Sequence, residues 1–214
     1  MRRSVRRGSG SGRLLVLCYA LAVVLWLVYC FVHSAVALNE KANGRMRSLT
    51  LSPEDFTRES FVSYDESEWD DPPEEGENWY LSTDNDSHLF WEGEIYLERV
   101  RLDAWHYLPP GSVALYYLKP GQTDYSEAQK VFAKVTGDGQ YTFDLGGVLV
   151  SGLRIDPDNV GGVPTQFTGV QLNPPAFWVE DFLPDGGQWL VLLFGPALVA
   201  AFLRLLHQVI RGDL

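Results

Sequence analysis

The chain has 214 residues, with 17 basic and 28 acidic side chains, a net charge of −11, 46% hydrophobic residues and two cysteines. Residues 40 to 187 hold 27 of the 28 acidic side chains but only 10 of the 17 basic ones, so the middle carries −17 while both ends are positive. An acidic middle of this kind excludes nucleic acid and anionic lipid as its natural partners. Cys18 and Cys30 both lie in one apolar stretch, which excludes a disulfide framework for the rest.

Residues 1–13 read as a basic cytoplasmic N-terminus, with Arg2, Arg3, Arg6, Arg7 and Arg13. The uncharged run that follows, Leu14 to Val32, predicts a transmembrane helix over 14–38, because a helix rising about 1.5 Å per residue needs about 20 apolar residues to cross a ~30 Å hydrocarbon core. A cleaved signal peptide is the alternative, since Ala35-Val36-Ala37 makes an A-x-A site. The 19 uncharged residues before His33 exceed a secretory apolar core, which runs about 7 to 15 residues, and favour an uncleaved anchor. Basic residues also close the C-terminal apolar stretch, at Arg204, His207 and Arg211, so the positive-inside rule puts both termini in the cytoplasm and the middle outside it.

Residues 39–78 form an acidic juxtamembrane lead-in. Between Glu54 and Glu77 there are eleven acidic residues against Arg58 alone, a composition expected to be solvated and partly irregular. Asp65, Glu66, Asp70 and Asp71 offer hard oxygen ligands of the kind calcium takes, but no calcium-loop motif accompanies them, and no metal or cofactor is expected.

Residues 79–187 read as an extracytoplasmic domain of short strands. Expected strands are 79–82, 93–103, 112–118, 130–135, 140–145, 152–156 and 165–172, separated by turn signals such as Pro109-Pro110-Gly111, Pro120-Gly121, Gly146-Gly147 and Gly161-Gly162. Turn spacing of about 8 to 12 residues predicts an all-β, jelly-roll-like sandwich. Alternation assigns faces: Val100, Leu102, Leu153, Ile155, Tyr141, Phe143 and Leu145 inward, Arg101, Asp103, Arg154 and Asp156 outward. Ile95 and Leu97 are out of phase with Val100 and Leu102, which predicts a β-bulge near Glu98 and Arg99. Residues 188–210 predict the second transmembrane helix, interrupted by Gly195-Pro196, and 211–214 a cytoplasmic C-terminus. Carbonyls freed at that proline need a neighbour in lipid, and two small-residue pairs, Cys18 with Ala22 and Ala197 with Ala201, predict close helix packing.

Val100-Arg101-Leu102-Asp103, Val113-Ala114-Leu115-Tyr116-Tyr117, Leu153-Arg154-Ile155-Asp156-Pro157 and Phe167-Thr168-Gly169-Val170-Gln171-Leu172 together resemble a β-sandwich module of bacterial envelope glycosyltransferases. The resemblance runs over about residues 90–174. It implies a carbohydrate-binding-type jelly roll on the outer face of the membrane, associated with assembly of a surface polysaccharide. Those enzymes carry a cytoplasmic nucleotide-sugar domain or many membrane spans, and this sequence has neither, so the resemblance implies an accessory.

Aromatic rings pack on the C–H faces of sugars while polar groups hold the hydroxyls. Trp91, Trp105, Tyr107, Tyr116 and Tyr117 are the candidate stacking residues, and Arg101 and Asp103 the candidate polar contacts. Each also has a plain structural reading, as core aromatics or as an ion pair between strands. His88 and His106 are the imidazoles of the middle segment, and no H-E-x-x-H, G-x-S-x-G or Walker sequence occurs, so no catalytic residue is assigned and no enzyme is expected. The expected protein is a non-catalytic, membrane-anchored accessory of the bacterial cell envelope whose sandwich binds a glycan or a polytopic glycosyltransferase. The competing readings are a structural subunit of a larger membrane complex and an exported glycoside hydrolase, whose two carboxylates need no local motif.

Overall fold

The computed structural model describes residues 9–64, 79–175, 182–184 and 186–211, with side chains from residue 12 onward. Asp65, Glu66, Asp70 and Asp71 lie outside the described residues. The chain divides into two units, a β domain over Ala37–Pro175 and a helical unit made of Met1–Val36 and Ala176–Leu214.

In the helical unit, α1 covers Ser9–Ala42 and α2 covers Gly186–Arg211. Both are long and apolar enough to cross a bilayer, and most of their large apolar side chains are exposed on the protein's own surface, as lipid-facing side chains must be. The protein is a two-pass membrane protein with its central domain outside the cytoplasm. The helices meet each other. Pro196 has no N–H to return to the carbonyl one turn earlier, and the hydroxyl of Tyr19 donates to the adjacent Leu193 carbonyl at 2.5 Å. Trp26 Nε1 donates to the Phe182 carbonyl at 3.4 Å. Cys30, Pro196 and Ala200 are the buried side chains of this pair. On α2 the contact stripe therefore runs through Pro196 and Ala200; Ala201, expected in a small-residue contact, is exposed.

Among the described residues the β domain has ten strands, all paired antiparallel: β1 (Leu49–Leu51), β2 (Thr57–Glu59), β3 (Phe61–Ser63), β4 (Trp79–Ser82), β5 (His88–His106), β6 (Ala114–Leu118), β7 (Lys130–Phe132), β8 (Lys134–Gly137), β9 (Gln140–Asp156) and β10 (Pro164–Leu172). Two long strands organise it. β5 and β9 pair along most of their length, but the register shifts between Glu92 and Ile95 and between Leu97 and Arg99, the second being the bulge expected near Glu98. Opposite it, Gly146 and Gly147 take φ of 71° and 84°. These glycines turn the chain as expected, but as a corner inside one continuous strand rather than a hairpin between two.

The corner splits each long strand between two layers. The first layer carries β3, β4, β10, the second half of β5, the first half of β9 and β8, with β1 beside β10. The second carries β2, the first half of β5, the second half of β9, β6 and β7. Alternate residues face the space between. Leu89, Ile95, Leu97, Leu115, Leu153 and Ile155 meet Val100, Leu102, Phe143, Phe167, Val170 and Leu172 in one buried cluster. This is a sandwich, with the inward assignments of Val100, Leu102, Phe143, Leu153 and Ile155 realised; Tyr141 and Leu145 are only partly buried against its rim.

The lead-in is more ordered than its charge suggests. β1 pairs with β10, β2 with β5 and β3 with β4, and Leu51 and Phe56 enter the core. Charge argues against strands here, but Thr, Phe and Val in β1 and β3 favour extended backbone, and β2, exposed along its length, needs only the open ladder of β5.

One side chain completes the bulge. Asn173, φ 48° and 8% exposed, donates from its Nδ2 to the carbonyls of Tyr96 at 2.8 Å and Arg47 at 3.1 Å, and its Oδ1 accepts the Glu98 N–H at 2.9 Å. Its own N–H donates to Arg99 O, and Tyr96 N–H donates to Arg45 O. The groups of β5 around the bulge, beyond the last β10 partner Leu172, are thus paired by an amide and by the segment after α1.

Candidate functional site

The outward face of the first layer is built by register. In β5, residues 101, 103 and 105 point away from the core because 100, 102 and 104 point into it, and Tyr107 follows the strand's last residue, His106. Gln166 of β10 stands directly between Trp105 of β5 and Trp79 of β4, so the three share one row. Trp79 and Trp105 meet edge to face with centroids 5.5 Å apart, and Trp105 meets Tyr107 edge to face at 6.4 Å. Trp79 is 4% exposed, whereas Trp105 and Tyr107 are 36% and 40% exposed and present ring surface to solvent. Along the same strand, Arg101 Nε lies 3.2 Å from Asp103 Oδ1, and its terminal nitrogen donates to Oδ2 at 3.3 Å. The pair joins neighbours on one strand, where the sequence suggested partners on two. Gln140 and Gln171 flank it in register.

The end of β5 that carries these rings is anchored from beneath. His106 points the other way, its Nε2–H donating to the Pro157 carbonyl at 2.8 Å and its Nδ1 accepting the Tyr141 hydroxyl at 3.1 Å. Burial pushes the His106 imidazole below its ordinary value, against the opposing pull of the Pro157 carbonyl and the Asp158 charge.

Four of the seven sequence candidates, Arg101, Asp103, Trp105 and Tyr107, are thus brought onto one face. The other three are not. Trp91 and Tyr117 flank Leu153 from the two neighbouring strands and pack against the core. Tyr116 lies on the outward face of the second layer but is 5% exposed, covered by the Arg154 guanidinium at 4.7 Å and the Lys130 ammonium at 5.0 Å, with its hydroxyl donating to Glu127 at 2.8 Å. Arg154 is in turn held by Asp156 through two bonds of 2.8 and 2.9 Å, and Asp156 meets His88 Nδ1 at 2.9 Å. The charges of that face are spent on one another. Trp79 and Gln166 join the first face without having been singled out, since only the β4–β10–β5 register puts them beside Trp105. Among the described residues no group of three His, Cys, Asp or Glu side chains stands close enough to hold a metal ion.

No family model and no curated protein matches the chain. Among solved structures it has a weak, partial likeness to CBM86, a low-affinity xylan-binding module from the gut symbiont Roseburia intestinalis, at 14% identity and a TM-score of 0.36, over 59% of this chain and 95% of that one.

Proposed function

We propose that the extracytoplasmic sandwich binds a glycan on the outward face of its first layer, and that the protein serves as a non-catalytic accessory in surface polysaccharide assembly in the bacterial envelope. The observation that carries this reading is the row Trp79, Gln166, Trp105, continued by Tyr107: two solvent-facing rings held at fixed angles by a buried third ring and by the His106 anchor. Pre-set aromatic surface lowers the ordering cost of binding, and it lies beside amide, guanidinium and carboxylate groups that suit hydroxyls. Arg101 and Asp103 are the polar contacts in this reading, and Trp105 and Tyr107 the stacking surfaces. The absence of cysteine from residues 31–214 fits a bacterial envelope better than an oxidising animal exterior. The helix pair supplies the membrane anchor through which a polytopic glycosyltransferase would be met.

The test uses the full-length protein in lipid nanodiscs on an array of cell-envelope polysaccharides. Trp105→Ala is expected to weaken binding at least about tenfold, a loss of about 1.4 kcal/mol, with the melting temperature nearly unchanged. Binding that survives both Trp105→Ala and Tyr107→Ala would move the site elsewhere. Co-purification in mild detergent, with mass-spectrometric identification, checks the transferase partner.

A further inference from the structure

We infer that the ligand of this face is an uncharged glycan engaged along the interior of its chain, rather than a polyanion or a chain end; the inference rests on the glycan reading above. Three observations converge on it. The first is the field around the site. Residues 40 to 187 carry a net −17, so a glycan bearing carboxylates, phosphates or sulfates would approach against a potential of its own sign.

The second is local charge. The cations of this face are already held, Arg101 by Asp103 on the same strand and Arg99 and Lys134 by Asp144, and the polar side chains in register with the Arg101–Asp103 pair and with Trp105, Gln171, Gln140 and Gln166, are amides. Amides give and accept hydrogen bonds without net charge, which matches hydroxyls and ring oxygens and offers an anion no compensation for its lost water. A site for an anionic sugar would instead present cations free to pair with it.

The third is shape. Arg101, Asp103 and Trp105 are successive outward residues of β5 and Tyr107 follows directly after its last residue, so the track from the first to the last is at most about 20 Å long, the reach of several consecutive sugar rings. Trp105 and Tyr107 lie on the sheet surface with a third or more of their area open to solvent. An open track of this kind, with ring planes inclined by 64° between Trp105 and Tyr107, accepts a chain that continues at both ends. Recognition of a terminus needs a walled pocket around the last ring.

The experiment measures binding of the full-length protein in nanodiscs to two sets of probes. One set is uncharged glucan, mannan, galactan and arabinan fragments of graded length; the other is polygalacturonate, hyaluronan and dextran sulfate. The expected result is binding of at least one uncharged series, strengthening about tenfold or more from disaccharide to tetrasaccharide, and changing less than about twofold as salt rises from about 20 to 500 mM. The bound series should bind equally well when its non-reducing end is capped, and Trp105→Ala should abolish the length dependence.

Preference for the polyanions, with affinity falling steeply as salt rises, would overturn this inference and leave the glycan reading standing. Binding that is saturated by a disaccharide, or destroyed by capping the chain end, would overturn the internal mode alone. Failure of every probe in both sets would overturn the inference together with the glycan reading. Arg101→Gln separates charge from hydrogen bonding: uncharged ligands should lose affinity by a factor that stays the same from about 20 to 500 mM salt, whereas a polyanion held by that guanidinium would lose most at low salt.

Discussion

Leu102 and Arg101 are neighbours in the chain and opposites in energetics. Leu102 is fully buried between the layers, and Leu102→Ala should cost about 2 to 5 kcal/mol by lost transfer energy and a residual cavity. Arg101, 31% exposed beside Asp103, should cost about 1 kcal/mol or less when replaced by Ala. Thermal melts of the two variants check the contrast. Asp156 belongs to neither class: it is 14% exposed and holds both Arg154 and His88, so Asp156→Ala leaves those two with the exposed Asp86 as their shared carboxylate. At His106 the prediction is one of pH. Burial depresses its folded value below the ordinary imidazole value of about 6.5, so the folded state binds fewer protons than the unfolded chain in that window. The stability that the neutral ring contributes is present in full above about pH 6.5 and is lost as pH falls through the folded value. Tyr141 and Asp158 face the ring, and His106→Gln should flatten this part of a stability-against-pH curve measured by denaturant unfolding.

At the scale of elements, the long strands and their corner determine what else can form. β5 and β9 bend together, and at the bend Tyr96 O and Glu98 N lie beyond the stretch of β5 that β10 pairs. Only a side chain that donates and accepts at once can serve both, and an amide at positive φ does so without backbone penalty beyond that of Asn itself. Asn173→Ala should therefore cost about 1 to 3 kcal/mol, and Asn173→Asp, which keeps the acceptor but loses both donated bonds, should recover only part of it. Amide hydrogen exchange supplies the readout: Glu98, whose N–H donates to Asn173 Oδ1, should lose protection first, ahead of the core of β9. An unchanged exchange rate at that amide would show that the latch is redundant. Gly169 is a second element-scale constraint, since its φ of 151° and the Leu51 carbonyl 2.8 Å from where a Cβ would sit let β1 close against β10 only over a glycine.

On the scale of the whole molecule, two apolar helices and an acidic sandwich define a two-pass topology with the β domain outside. A cysteine introduced at exposed Ser63 should react with a membrane-impermeant maleimide in intact cells, and one introduced at Gly212 should react only after permeabilisation. Cys18→Ser and Cys30→Ser in the background keep the readout specific. The reverse labelling would overturn the orientation that the arginines set. Tyr19→Phe provides a check on the helix pair, because losing the hydroxyl that meets Leu193 beside Pro196 should weaken helix association by about 1 kcal/mol in a crosslinking or energy-transfer titration.

Much of this architecture was legible in local patterns. Uninterrupted apolar length marks the two helices, period-two alternation marks which of Val100, Arg101, Leu102 and Asp103 face the core, and the phase slip between Leu97 and Val100 marks the bulge. These are properties of neighbouring residues, and strand geometry converts them directly into faces. What local pattern cannot carry is partnership across the sheet. Trp79 reaches Trp105 only because Gln166 stands in register between them, and Trp91 and Tyr117 turn inward because both flank Leu153. β2 and β3 form inside an acidic run because β5 and β4 offer them unpaired edges, and Asn173 matters because a bulge more than seventy positions away leaves groups for it to bind. The amino-acid sequence by itself determined the membrane spans, the fold class and the inward rows, since each follows from side-chain chemistry at fixed short spacing. Only the tertiary structure decided which aromatics share the open face, because that depends on registers set by contacts between residues distant in the chain.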